Sequence, residues 1–252
     1  MAIELISHRD LPAMRRAGLA AASTLRHVAA RLRAGVTTAE IDRWVREHTA
    51  ALGGRPSQLG YEGFPASVCT SVNDVVCHGI PSHGVRLADG DIVNVDVTTE
   101  LDGFHGDTSA TFFIGDEAAA SPEARHVVDV ARRCRDLGVA MVAPGVRLGD
   151  IGGAIEELAA IEGCTVVREL GGHGIGRQMH LDPHVAYVGP RGRGVRLKAG
   201  MAITIEPMIN LGAADIVVRG DGWTIVTADG ALSAQFEHTV LVTADGHEIL
   251  TV

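Results

Sequence analysis

Apolar and polar positions divide the chain into alternating blocks of two kinds. A stretch rich in Ala, Leu and Arg over residues 8–33 predicts a helix, and TTAEIDRWVREHTAALG predicts a second, with Thr37 or Thr38 as N-cap and Gly53 at its end. Further helices are expected at 122–142 and 149–162. Between them lie short runs dominated by β-branched and other apolar residues, DIVNVDVTT, TSATFFIG, MAITIEPMI and HTVLVT, which read as strands. Two of these runs contain an acid inside an apolar sequence, Asp96 and Glu206, and QFEHTVLV treats Glu237 in nearly the same way. An ionised carboxylate among apolar neighbours is expensive unless a cation or a dense set of donors compensates it.

The segment LDGFHGDTS, residues 101–109, adds a fourth acid. Asp102-Gly103 is a hairpin signal, and the midpoint between Asp96 and Asp107 falls beside it, so the two acids are expected to face each other within a register step.

The chain also echoes itself. AGVTTAEI from Ala34 matches PGVRLGDI from Pro144, and the same offset lays DGDIVNVDV on AGMAITIEP, with Asp96 on Glu206. A second alignment lays Asp107 on Glu237 and Ser109 on Thr239. Chance similarity among Gly, Val and acid-rich segments is the alternative, but both echoes deliver a carboxylate onto a carboxylate. The reading is one catalytic domain, residues 1–252, made of two related αβ halves at about 12–120 and 121–252.

Composition narrows the function. A length of 252 residues with 46% hydrophobic and 21% charged content is ordinary for a globular chain. The net charge of -9, with Lys198 the single lysine, argues against a dedicated nucleic-acid binder. The arginines of RGRGVR, residues 191–196, read as a solvated turn or a weak docking patch for an anionic partner. No signal peptide or membrane span is evident, so a cytoplasmic location is expected. Cys69, Cys77, Cys134 and Cys164 form no C-x-x-C pair and are expected to stay thiols.

Four convergent carboxylates would repel one another and take up protons unless metal neutralises them. Carboxylates with a few nitrogens suit Mn, Fe, Co or Zn, and two ions roughly 3.5–4 Å apart form a known hydrolytic arrangement. Nitrogen candidates lie in GGHGIGRQMH, where His173 sits among glycines and His180 follows. A phosphate loop is the competing reading of those glycines, but the G-x-G-x-x-G spacing and the Walker lysine are missing. His78, in VVCHGIP, is by itself an ordinary loop histidine.

Together, VCTSVNDVVCHGIP, DVTTELDGFHGDTS, GGHGIGRQMH, ITIEPM and SAQFEHT resemble the type I methionine aminopeptidases of bacteria, in order and over essentially the whole chain. The resemblance implies the pseudo-symmetric pita-bread fold, an α+β architecture whose curved, antiparallel-rich sheet is covered by helices. It implies hydrolytic removal of the initiator methionine from nascent polypeptides when the second residue is small and uncharged. Two divalent ions (Co, Mn, Fe, Ni or Zn) would be held by Asp96, Asp107, His173, Glu206 and Glu237, with Asp107 and Glu237 bridging. Asp96 would complete one ion, and His173 with Glu206 the other; one ion would also take the substrate's α-amine.

Glu206 would serve as general base, His180 would hydrogen-bond the scissile carbonyl, and His78 would contact the substrate backbone beyond it. The methionine pocket implied is Tyr61, Phe64, Cys69, Met179 and Trp223. Phe64 stands where many relatives have tyrosine, and Met179 where an aromatic residue is common, so the pocket shape departs from the family pattern. A structural monovalent cation, Na or K, is implied at the backbone of Asn73 and Val75 with Ser233. The expected partner is the N-terminal Met of nascent chains, met by a monomer in transient ribosome contact, and Met1-Ala2 is itself a substrate sequence by the family's rule. The rival readings are an Xaa-Pro aminopeptidase or dipeptidase of the same fold, and a non-enzymatic binding protein on this scaffold.

Overall fold

The computed structural model describes residues 3–252, so the expectation for Met1-Ala2 lies outside the described residues. Helix α1 (Leu11–Ala29) starts with a proline in its first turn, where the missing N–H costs nothing. Helix α2 (Thr38–Ala51) opens on a reciprocal cap: Thr37 Oγ1 accepts the Glu40 N–H, and the Glu40 carboxylate accepts the Thr37 N–H. Thr37 is thus the N-cap, and Gly53 at φ +80° lies just past the end. The 8–33 expectation was too wide at both ends, because Ala, Leu and Arg continue past α1 without a stop signal.

Strands β1 (Arg55–Pro56), β2 (Cys69–Val72), β3 (Val75–Cys77), β4 (Ile92–Leu101) and β5 (Phe104–Phe113) follow. Asp102 at φ +54° and Gly103 at φ +77° make a two-residue turn with both centres left-handed, which matches strand twist and lets β4 and β5 run up to it. TSATFFIG therefore begins four residues earlier than the apolar run suggested. β5 pairs with β4 along its whole length, so β1 and β2 share the opposite edge of β4.

The chain continues through α3 (Pro122–Ala140), capped by Ser121, and α4 (Leu148–Ile161). The remaining strands are β6 (Thr165–Val166), β7 (Gly172–Gly174), β8 (Leu181–Val185), β9 (Ala202–Ile205), β10 (Met208–Asn210), β11 (Ile216–Val218), β12 (Ile225–Thr227), β13 (Ser233–Gln235), β14 (His238–Val242) and β15 (His247–Ile249). They form sheets in the orders β15-β14-β9-β7-β8, β13-β10-β6 and β11-β12-β3, and every pairing among the described residues is antiparallel.

MAITIEPMI is not one strand: it splits into β9 and β10 at Glu206-Pro207, where proline offers no N–H to a ladder. Glu237 sits at the matching break between β13 and β14. Two of the four acids therefore occupy interruptions, where side chains are freed from strict alternation.

α1 and α2 pack on β4 and β5, and α3 and α4 cover β9, β10, β13 and β14. Ile151 and Ile155 of α4 and Ile203 and Ile205 of β9 are fully buried together, each worth roughly 1.5–3 kcal/mol of hydrophobic stabilisation. α1 crosses β5 glycine against glycine: a Cβ on Gly106 would lie 2.5 Å from Gly18 Cα. No helix among the described residues is long and apolar enough to cross a membrane.

Candidate metal centre and active site

Asp96 and Asp107 share a face of the hairpin, one step from the expected register. The observed pairs are Asp96 with Ser109 and Thr98 with Asp107, because the turn residues are 102 and 103. Moving the partner by two residues keeps both acids on the same side of the sheet. Thr98 Oγ1 donates to Asp107 Oδ1 at 2.8 Å. Thr239 Oγ1 accepts the Asp107 N–H at 3.0 Å and donates to its carbonyl at 2.8 Å, tying β5 to β14.

Glu206 accepts from Thr204 Oγ1 at 2.7 Å and Gln235 Nε2 at 3.1 Å, and its N–H donates to the buried Tyr187 hydroxyl at 2.7 Å. His173 is fixed at its N–H by Thr204 Oγ1, and its Nδ1 lies 3.0 Å from the Gly174 carbonyl. A carbonyl can only accept, so Nδ1 carries the proton and Nε2 keeps its lone pair. That Nε2 is 3.5 Å from Glu206 Oε1 and 3.8 Å from Asp107 Oδ2. Asp107, His173 and Glu237 each offer an atom within 4.8 Å of the others.

All five residues line one cavity of about 420 Å³, and among the described residues no Lys or Arg lines it. Burial raises all four carboxyls: Asp107 to about 7, Glu206 to about 8, and Asp96 and Glu237 well above the carboxylate range. The charges of neighbouring acids push Asp96, Glu206 and Glu237 further up. Asp96 Oδ1 and Glu237 Oε1 are buried with no hydrogen-bond partner. Crowded acids, two orphaned oxygens and an imidazole with a free lone pair fit a hard or borderline divalent cation.

His180 packs edge-on against His173 at 4.2 Å and Tyr61 at 4.9 Å between ring centroids. Burial lowers its imidazole, and lowers His78 to about 4, so both rings are neutral near pH 7. His78 holds a left-handed backbone, φ +55°, with its ring edge-on to Trp223 at 6.3 Å. Tyr61, Phe64, Cys69, Met179 and Trp223 all line the cavity, and Phe64, Cys69 and Trp223 belong to one apolar cluster with Ala66 and Ile80. The four cysteines are free thiols, all buried.

Asn73, Val75 and Ser233 do not line the cavity but adjoin one another. The Asn73 carbonyl accepts the Ser233 N–H at 2.9 Å, Asn73 takes φ +55°, and Val75 pairs with Val226. Sequence reasoning missed Gln58, Thr98, Thr204, Tyr187 and Gln235. Thr98, Thr204 and Gln235 each lie two residues from an acid, a spacing that places strand neighbours on one face.

A buried cluster of this kind in an antiparallel α+β scaffold defines a metallohydrolase. The sequence profile of Metallopeptidase family M24 matches residues 12–244, and the chain belongs to that family. It is 49% identical over 250 residues to methionine aminopeptidase A of Synechocystis sp., covering 99% of this chain and 98% of that one. Identity to the Escherichia coli K12 methionine aminopeptidase is 45% over 253 residues, with 100% and 95% covered. The crystal structure of methionine aminopeptidase from Rickettsia prowazekii matches with a TM-score of 0.96 at 43% identity, each chain fully covered. A prolidase from Pyrococcus furiosus shares the fold at a TM-score of 0.77 and 18% identity, with 98% of this chain and 65% of that one covered. The expected pita-bread architecture is borne out, and Asp107, His173 and Glu237 form a candidate group for the divalent metal binding that the family implies.

One consequence concerns stability. In the metal-free chain Asp107 and Glu206 titrate above the unfolded carboxylate value near ~4. Stability from their protonated forms is full below that value and lost as pH rises through about 7 and 8. Mn(II) at a hundredfold its pH 8 dissociation constant is expected to raise the melting temperature by about 5–10 °C at pH 8, and the same concentration by much less at pH 5. Calorimetry of chelator-stripped protein checks this; a shift independent of pH would contradict it.

Proposed function

We propose that this chain hydrolyses the bond after an N-terminal methionine when the second residue is small and uncharged, with two divalent ions held by Asp96, Asp107, His173, Glu206 and Glu237. The observation that carries the reading is the juxtaposition, in one cavity, of the crowded carboxylates and an apolar wall of Tyr61, Phe64, Cys69, Met179 and Trp223. A thioether offers little for polar groups to hold, so such a wall suits methionine. Similarity over full length to methionine aminopeptidases supports the same substrate.

Asp107 and Glu237 would be shared between the ions, Asp96 would serve one of them, and His173 with Glu206 would serve the other. When bound, the ions supply electrophilic polarisation and a water that ionises near neutral pH. Glu206 accepts the proton of the attacking water and returns it to the leaving amine as the C–N bond breaks. Neutral His180 donates its N–H to the carbonyl oxygen as negative charge gathers there. His78, held beside Trp223, contacts the peptide backbone beyond the scissile bond.

The same reading includes a structural Na or K ion at Asn73, Val75 and Ser233, supported by the contact between the first and last. It also has the protein act in the cytoplasm as a monomer on chains leaving the ribosome. With Mn(II) or Co(II) present, release of methionine from Met-Ala-Ser and none of Xaa from Xaa-Pro peptides is expected by chromatography. The reverse pattern would favour the Xaa-Pro reading; inertness with every cation would favour a binding protein.

A further inference from the structure

Strand β4 has a gap along one edge. β2 covers its residues 93–96 and β1 its residues 99–100. Between them the main chain supplies one bond, Ser57 N–H to the Thr98 carbonyl at 2.9 Å. The chain then turns away, through Gly60 at φ +82°, to bring Tyr61 to the cavity. The Asp96 carbonyl and the Thr98 N–H are left facing a place where no strand runs.

The side chain of Gln58 fills that place. Its Oε1 accepts the Thr98 N–H at 3.1 Å and its Nε2 donates to the Asp96 carbonyl at 3.0 Å, so the carboxamide stands in for a missing peptide group. Gln58 is only 6% exposed and lines the cavity. Thr98, fixed at its N–H by this amide, is the residue whose hydroxyl donates to Asp107. Asp96 Oδ1 makes no hydrogen bond, which leaves the strand backbone and the neighbouring Asp107 carboxyl to set the direction of this side chain.

We propose that Gln58 is a positioning residue for the metal centre, holding Asp96 through its carbonyl and Asp107 through Thr98. This rests on the reading that both acids are metal ligands. Groups that orient ligands from behind change metal affinity without touching the ion. Gln58→Leu removes both bonds. Gln58→Glu keeps the shape and the acceptor for Thr98 but loses the donor to Asp96.

The test is calorimetric titration of MnCl2 into the full chelator-stripped chain, wild type beside Gln58→Glu, Gln58→Leu and Asp96→Asn. Both Gln58 variants are expected to bind Mn(II) roughly ten- to a hundredfold more weakly. Their kcat on Met-Ala-Ser should fall at limiting Mn(II) and recover at high Mn(II), with KM unchanged. Wild-type Mn(II) affinity in both variants, with only a lower metal-free melting temperature, would overturn the proposal and leave Gln58 as filler. If wild type takes up no Mn(II), or Asp96→Asn binds as wild type does, the ligand reading fails instead. Should Gln58→Leu not fold, Gln58→Glu decides the matter alone.

Discussion

Asp107→Asn is expected to yield a folded protein that holds no pair of divalent ions and has lost about 10³-fold or more in kcat/KM, since losing even one preorganised electrostatic contact costs ~10²–10³. The amide has the carboxylate's shape, can still accept from Thr98, and leaves the two backbone bonds to Thr239 intact. It removes one charge from a group of buried acids whose ionisation is already opposed. The metal-free variant should therefore melt no lower than metal-free wild type at pH 8, while elemental analysis finds it depleted of metal. This separation of folding from loading distinguishes a bridging ligand from a structural acid. Near-normal metal content with near-normal turnover would remove Asp107 from the bridging role.

His180→Ala should behave in the opposite manner. His180 makes ring contacts with Tyr61 and His173 and lies outside the trio Asp107, His173 and Glu237, whose atoms are close enough together to hold a metal ion. The expected loss is ~10²–10³ in kcat, the usual cost of removing one donor to a developing oxyanion, with metal content unchanged. Burial, with the nearby His105, holds its imidazole below the usual histidine range, which favours the neutral ring near pH 7. Loss of bound metal in this variant would instead make His180 a ligand.

Much of the site was legible because it violates the rule that buried segments avoid charge. Asp96, Glu206 and Glu237 stand out in apolar runs, and the hairpin signal brings Asp107 beside the first of them. The register missed by one step because the two acids were centred beside the Asp102-Gly103 signal, whereas the hairpin is centred between those two residues and pairs Asp96 with Ser109. The apolar run alone made one strand of MAITIEPMI, where Pro207 divides it. Thr98, Thr204 and Gln235 were within reach of a period-two reading. Gln58 and Tyr187 were not: each completes a backbone bond of another segment, 38 residues from Asp96 and 19 from Glu206. No local pattern encodes such pairings.

The glycine contact between α1 and β5 has a bearing on how this scaffold can vary. Gly106 immediately precedes Asp107, and with no side chain on either glycine the outer helix rests directly on the strand that carries the acid. The spacing between the protein's exterior and its reactive centre is thus set by bare main chain, with no adjustable spacer. A methyl group added to Gly106 would press on the α1 main chain at Ala17 and Gly18, and relief would have to come from moving the very peptide that aims the carboxylate, whereas one added to Gly18 would meet the Leu250 carbonyl instead.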